Sequence, residues 1–338
     1  MRVGIVGATG AVGQEILKLL ESRRFPVTTL LPMASRSRPG GIVEATLERM
    51  ASCDVLFYAS PASVSLATAQ QVANGGALVV DNSSAFRMHP SVPLVIPEVN
   101  PTRQWGLISN PNCSTILLLT AVHSLLREFE ASEIVVSTYQ SASGAGASGM
   151  RELTEQAKAW CSAGGPDTGL VPDVRPAVFP QQYLWNCFSH NTEINLTTGH
   201  NREEVKMMQE VQKIMGMDLP VSCTCVRVPV LRSHCEAVNI RFRGEVPSVR
   251  RVREMLASSS GVTLVDDRES NTFPTPLGSQ NRDDVLVGRV RHDAMGGVAL
   301  FLSGDQIRKG AALNAVQIAE MLVSGTGGAG RSSGDAEP

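Results

Sequence analysis

The 338 residues carry 30 Lys and Arg against 32 Asp and Glu, a net charge of −2, so the chain lacks the basic excess of a nucleic-acid or membrane-surface binder. Hydrophobic residues make up 43 %, enough for a large buried core, and the length favours two domains over one. No apolar run reaches the roughly 20 residues of a membrane span, and seven cysteines, an odd number without CxxC or zinc spacing, predict free thiols, no metal site and a reducing, cytosolic compartment.

In chain order, residues 2–6 read as a strand that runs straight into a glycine turn rather than as a signal sequence. A helix over 10–20 follows, then a strand over 53–59, a helix over 64–72 and a strand over 77–81. Short apolar runs with helices between them predict a parallel, doubly wound sheet. From about Glu133 the pattern changes. Residues 134–139, 221–230, 237–242 and 298–302 are strand-like, and helical patterns at 150–163, 202–215 and 249–258 separate them. This predicts a mixed α+β second domain. A last helix is expected over 311–323 and a disordered tail over 325–338. Cys223 and Cys225 share one face of their strand and read as core filler.

The turn Gly7-Ala8-Thr9-Gly10-Ala11-Val12-Gly13 joins the first strand to the first helix. Small residues there let the backbone approach a pyrophosphate, and the helix N-terminus favours its charge. The spacing is GxxGxxG, and its alternative is a tight turn with no ligand. An NAD site offers an acidic residue about 20 positions on for the ribose hydroxyl. None occurs between Glu21 and Glu44, whereas Arg36 and Ser37 suit a 2′-phosphate, so NADP is favoured.

Ser109-Asn110-Pro111-Asn112-Cys113-Ser114-Thr115 places a thiol at the start of an apolar helical run. Unpaired N–H groups and a partial positive charge there are expected to ease its ionisation. Downstream, Gln140 ends a β run and opens a loop rich in glycine and serine, which either wraps a ligand or merely connects. Glu203 and Lys206 share a helix face, as a functional pair or an exposed ion pair. Arg227 lies among apolar strand residues and needs an anionic partner if buried. His234 offers a general base for a thiol, or is a surface histidine.

Segments 4–14, 81–87 with Pro97-Glu98-Val99-Asn100-Pro101, 109–115, 140–146, 203–206, 224–234 and 304–320 together resemble the aspartate-semialdehyde dehydrogenases. Gln181-Gln182-Tyr183 and Phe188-Ser189-His190-Asn191 resemble the branch found in Gram-positive bacteria, cyanobacteria and plants. The resemblance implies an α/β fold with a Rossmann-type NADP-binding domain over 1–114, completed by a C-terminal helix over 304–324. An α+β catalytic and dimerisation domain with a mixed sheet would span 115–303. It also implies NADP-linked interconversion of L-4-aspartyl phosphate and L-aspartate 4-semialdehyde, a step towards lysine, threonine and methionine, by a homodimer or homotetramer.

Carried over one residue at a time, the resemblance makes Cys113 the nucleophile of a thioacyl enzyme, His234 the acid/base and Gln140 the residue that orients substrate. Arg227 would bind the substrate α-carboxylate and Glu203 its amino group, while Arg87 and Lys206 bind phosphate. Thr9 to Val12, Arg36, Ser37, Ser143, Gly144 and Gln306 would line the NADP site. Two departures stand out. Between Gly40 and Cys53 the family generally carries roughly ten more residues. Residues 41–52 have room for one short element only, which predicts an altered adenosine pocket. Pro61 in Tyr58-Ala59-Ser60-Pro61-Ala62 also removes a backbone donor where the family is richer in glycine. Among related reductases, Asn112 and Ser114-Thr115 argue against an N-acetyl-glutamyl-phosphate reductase. A malonyl-CoA reductase resembles the site more closely. A non-catalytic paralogue would be marked by loss of Cys113 or His234.

Overall fold

Six strands form the first sheet, the central ones buried on both faces. They are β1 (Arg2–Val6), β2 (Thr29–Ala34), β3 (Val43–Glu44), β4 (Val55–Tyr58), β5 (Leu78–Asp81) and β6 (Leu107–Ser109). All neighbours are parallel, in the order β3-β2-β1-β4-β5-β6. The computed structural model describes residues 1–168 and 176–326. β4 and β5, Val-Leu-Phe-Tyr and Leu-Val-Val-Asp, are buried at every position. Helix α1 (Ala11–Ser22) covers one face; α2 (Leu47–Ala51) and α3 (Ala62–Asn74) cover the other.

Helix α4 (Cys113–Glu128) leads into the second sheet. There follow β7 (Ala131–Gln140), α5 (Gly146–Ser162), β8 (Phe188–Ser189), α6 (Arg202–Met215), β9 (Val221–Arg227), β10 (His234–Phe242) and α7 (Val249–Ser258). The order continues with β11 (Val262–Leu264), α8 (Pro276–Ser279), β12 (Val285–Asp293), β13 (Gly297–Gly304) and α9 (Asn314–Thr326). Seven strands pair as β11-β12-β13-β10-β7-β9-β8, with parallel and antiparallel neighbours mixed. Leu117, Leu118 and Val122 of α4 pack with Met207 and Val211 of α6 against Val136, Val238 and Leu300 of this sheet. Helix α9 returns to the first sheet, where Ala315, Val316 and Ala319 join Ile5, Phe57 and Val80. The glycine turn after β1 and Cys113 after β6 thus lie at the carboxyl edge of one parallel sheet, where such sheets bind ligands.

The structure departs from the sequence reading in specific places. Residues 41–52 hold two elements, not one. A two-residue edge strand suffices, with Met33 beside Val43 and Ala34 beside Glu44, and Thr46 caps α2 by accepting the Arg49 N–H. Strand β9 stops at Arg227 rather than at 230, ahead of Pro229, whose missing N–H cannot extend a ladder. Strand β10 starts at His234, three residues earlier than expected. Strand β12 went unanticipated because a register shift between Gly288 and Arg291 and its exposed charges break the alternation. A π-helical turn over Arg308–Leu313 delays α9 to Asn314, and the helix runs on to Thr326. The expected tail beyond Thr326 lies outside the described residues. The glycine-rich stretch is ordered rather than a slack connection: Ala142–Ala145 is a 3₁₀ turn and Gly146 opens α5.

Candidate active site

Asn112 caps α4 through its side-chain oxygen, which accepts the N–H groups of Ser114 (3.0 Å) and Thr115 (3.3 Å). Such a cap contributes about 1 kcal/mol, and it fixes Cys113 as the first helical residue. Gly310, in the π-helical turn, lies against it: a Cβ there would come within 3.0 Å of the Cys113 Cβ. The free thiol is not easy to ionise. Burial, with Glu203 nearby, pushes it up to about 12, against Arg87, Arg227 and Lys206, which pull it down. The expectation from the helix N-terminus is corrected in that respect, because desolvation of the thiolate outweighs the favourable charges.

Those interactions show which residues surround the sulfur. Glu203 is buried, accepts the Asn112 amide at 2.7 Å and pairs with Lys206 at 3.1 Å. Burial works against its charge, but Lys206, His190 and the Asn112 hydrogen bond bring it down to about 2. The pair is therefore not the exposed ion pair its spacing allowed. Arg87 is also buried. Its Nη1 meets Glu210 at 3.1 Å and its Nη2 donates to the Asn82 carbonyl, while its Nε has no partner among the described residues. Glu210 in turn accepts the Asn112 N–H at 2.6 Å. Arg227 is 4 % exposed, and among the described residues no carboxylate pairs with it. Its Nε donates to Asn191 (3.1 Å), its Nη1 to the Ser141 carbonyl (3.2 Å), and its guanidinium lies over the Phe179 ring at 5.6 Å.

Register explains why residues distant in sequence meet. Gln140 stands opposite Arg227 across β7 and β9, and His234 opposite Gly304 across β10 and β13. All share the sheet face that packs on α4. The Gln140 amide donates to Ser114 (3.2 Å), next to Cys113, and the Tyr183 hydroxyl donates to the Gln140 carbonyl at 2.9 Å. His234 is fully buried rather than on a surface loop. Its Nδ1 receives the Ser141 backbone N–H at 3.1 Å, so the neutral ring carries its proton on Nε2, which has no partner among the described residues. Burial and Arg227 push this imidazole down to about 3. In the free protein the ring therefore presents a donor at Nε2. Gly144 keeps the space beside it open: a Cβ would fall 2.8 Å from Arg227 Nη1 and 3.3 Å from His234 Nε2. Ser143 bonds Ser141 at 2.8 Å and takes the Gln306 amide, whose oxygen accepts the Ser233 N–H at 2.9 Å.

The turn after β1 fits a dinucleotide. Gly7 has φ +89°, and a Cβ on it would strike the Ala59 carbonyl at 2.3 Å. A Cβ on Gly13 would strike the Gly7 carbonyl at the same distance. Gly10 is the N-cap of α1 with no side chain closing it, and Thr9 and Gly10 are exposed, so the first amides of α1 face outward for an anion. Ala11 and Val12 are half-buried behind them. Arg36 and Ser37 are exposed just past β2, and the Ser37 hydroxyl accepts the Glu44 N–H at 3.1 Å. The shortened segment thus braces Ser37. Pro61 is the N-cap of α3, outside the ladder, so its missing N–H breaks no strand bond.

Sequence reasoning missed Glu210, Ser141, Asn191 and Gly310. Glu210 follows Glu203 by seven residues, two helical turns on the same face as Lys206, a signal that was there to find. Ser141 acts through its backbone, which leaves no mark in residue type.

Residues 2–104 match the family described as semialdehyde dehydrogenase, NAD binding domain, and residues 122–309 the semialdehyde dehydrogenase dimerisation domain. The aspartate-semialdehyde dehydrogenase of Synechocystis is 45 % identical over 96 % of this chain and 97 % of its own. That of Bacillus subtilis is 37 % identical, covering 95 % and 97 %. The crystal structure of aspartate semialdehyde dehydrogenase II from Vibrio cholerae superposes with a TM-score of 0.86 at 37 % identity, over 96 % of this chain and 98 % of that one. The chain belongs to the aspartate-semialdehyde dehydrogenase family.

Proposed function

We propose that this protein interconverts L-4-aspartyl phosphate and L-aspartate 4-semialdehyde with NADP, through a thioester on Cys113. The observation that carries the reading is Arg227, a buried guanidinium without a carboxylate partner, in the electrostatic neighbourhood of Cys113. A buried unpaired charge is costly, and a substrate α-carboxylate would relieve it. Glu203, held ionised, suits the substrate ammonium, and Arg87 and Lys206 suit the phosphate. A Vibrio cholerae relative has been crystallised with aspartate semialdehyde, here 37 % identical.

In the reductive direction the Cys113 sulfur bonds the acyl carbon and the carbon–oxygen bond to phosphate breaks. The sulfur loses its proton as it attacks, and that proton ends on the departing phosphate. The Nε2–H of His234 and the Cys113 backbone N–H stabilise the oxyanion as it forms. Gln140 orients the acyl group. The glycine turn with Thr9, Ala11 and Val12 would hold the NADP pyrophosphate, Arg36 and Ser37 its 2′-phosphate, and Ser143, Gly144 and Gln306 the nicotinamide end. When bound, that cofactor supplies or takes the hydride.

We assign 1–114 with the helical C-terminal segment to cofactor binding and 115–303 to catalysis and assembly. Two copies would join through the face of the second sheet that α4 leaves uncovered, where Val135 and Tyr139 are exposed. Seven free cysteines favour a reducing cytosol. Among the described residues no helix is long and apolar enough to cross a membrane.

The test is oxidation of aspartate semialdehyde assayed with both dinucleotides, with and without phosphate or arsenate. Reduction of NADP that requires the anion is expected, with NAD the poorer substrate. Turnover independent of the anion would sink the phosphorylating mechanism, and equal use of NAD would remove the role given to Arg36 and Ser37.

A further inference from the structure

The chain between β8 and α6 holds a buried imidazole that the reaction above does not use. Segment 188–193 runs from the edge of the second sheet to the first turn of α6. Phe188 and Ser189 pair with Arg227 and Val226, and the His190 N–H continues the ladder to the Cys225 carbonyl at 2.9 Å. Asn191 then accepts the Arg227 Nε–H at 3.1 Å. The Thr192 hydroxyl oxygen accepts the Glu203 N–H at 3.1 Å, and the Glu193 carbonyl accepts that of Arg202 at 2.8 Å. His190 thus sits on the stretch that braces both groups given to the amino-acid end of the substrate, the Arg227 guanidinium and Glu203.

His190 is 6 % exposed, and its Nδ1 lies 3.2 Å from the Thr192 hydroxyl. That hydroxyl already takes the Glu203 N–H, so it gives its own proton to Nδ1 and leaves the neutral ring protonated on Nε2. Among the described residues no hydrogen bond engages Nε2. The charges that act on the ring are Glu203 and Lys206 of α6 and Arg227 of β9, and the ring in turn acts on His234 of β10. The first three also act on the Cys113 sulfur. Burial, with Arg227 and Lys206, pushes this imidazole down to about 4 against the pull of Glu203, so it is neutral at pH 7. Arg227 gives its Nε proton to Asn191 and one Nη1 proton to Ser141, which leaves Nη2 for an incoming anion. A carboxylate has more acceptor sites than that nitrogen fills. A neutral N–H beside it adds a hydrogen bond without adding a second buried charge.

We propose that His190 is a substrate-binding residue whose Nε2–H donates to the α-carboxylate that Arg227 receives, so that a charged fork and a neutral donor hold one carboxylate. This rests on the role given to Arg227 in the proposed function and adds a determinant of substrate choice to it. Residues 190–192 tie the donor to Arg227 on one side and to the first turn of α6, with Glu203, on the other. The α-carboxylate does not react, so the contact is the same in substrate and transition state and appears in KM rather than kcat. A hydrogen bond to a charged group is worth about tenfold in affinity.

The experiment compares His190→Ala and His190→Gln with the wild type as full-length proteins. His190→Ala is expected to raise KM for aspartate semialdehyde about tenfold, with kcat within about threefold and NADP affinity unchanged. The glutamine amide offers a donor near the position of Nε2, so His190→Gln should recover KM to within about threefold of wild type. Binding of non-reacting fragments, followed by NMR titration, separates the two charges of the substrate. L-2-aminobutyrate carries both, butyrate only the carboxylate and propylamine only the ammonium. His190→Ala should weaken the first two about tenfold and leave propylamine as in wild type. Losses for L-2-aminobutyrate and propylamine but not butyrate would put the imidazole on the ammonium and overturn the proposal. So would an unchanged KM with unchanged fragment binding, or equal losses for all three fragments, the mark of a site that has merely slackened. A wild type without turnover that still binds L-2-aminobutyrate through His190 would sink the proposed reaction and leave His190 in place. A wild type that binds neither carboxylate fragment would overturn the role of His190 itself.

Discussion

Cys113→Ala is expected to lower turnover by about four orders of magnitude or more, the scale seen when a covalent nucleophile is removed, while NADP still binds. The two effects separate because the sulfur lies at the start of α4, after β6, whereas the glycine turn follows β1, three strands away in the sheet. Isothermal titration of the variant with NADP, beside a steady-state assay, reads both. An alanine variant that retained turnover would remove Cys113 from the chemistry. Inactivation of the free wild-type enzyme by iodoacetamide gives a second reading. With the thiol pushed up to about 12, the rate should climb about tenfold per pH unit from 6 to 10 without a plateau. A plateau below pH 8 would mean that the helix N-terminus and the three cations overcome burial after all.

Arg227→Met is expected to lower kcat/KM for aspartate semialdehyde by about a hundredfold or more, from the roughly 2–5 kcal/mol lost when one partner of a buried charged pair is removed. Its unfolding midpoint should stay where it is or rise. The reason is the same for both signs. Burial lowers the pKa of this guanidinium, and Glu203, which acts on it without pairing with it, offsets only part of that in the free protein. An apolar side chain of similar size relieves that cost. Arg227→Lys should not restore activity, because an ammonium lacks the planar fork and cannot keep the Asn191 and Ser141 contacts together with a carboxylate. A variant destabilised as much as it is inactivated would make Arg227 a structural residue. An unaffected kcat/KM would move the α-carboxylate elsewhere.

The neutral, Nε2-protonated form of His234 follows from one backbone contact. Sequence shows a histidine seven residues after an arginine and invites the role of a base. Only the fold shows the Ser141 N–H seated on Nδ1. The same holds for Glu203. Its spacing from Lys206 was legible as a shared helix face, but whether that face was wet depended on where α6 lay against α4, and the Asn112 amide answers that.

Local chemistry sufficed for much of this protein. Gly7 and Gly13 marked a close turn because nothing larger fits there, the apolar run after Cys113 marked a helix, and unbroken apolar runs marked strands buried on both faces. These features depend on neighbours within a few residues, so the sequence determined them directly. Tertiary structure decided the rest, because it depends on register and desolvation. Register put His234, Gln140 and Arg227 in one row. Desolvation raised a thiol that its helix position alone would have lowered, and left a guanidinium waiting for a carboxylate. Pairing across strands and exclusion of water are set by the whole fold, and no window of sequence contains them.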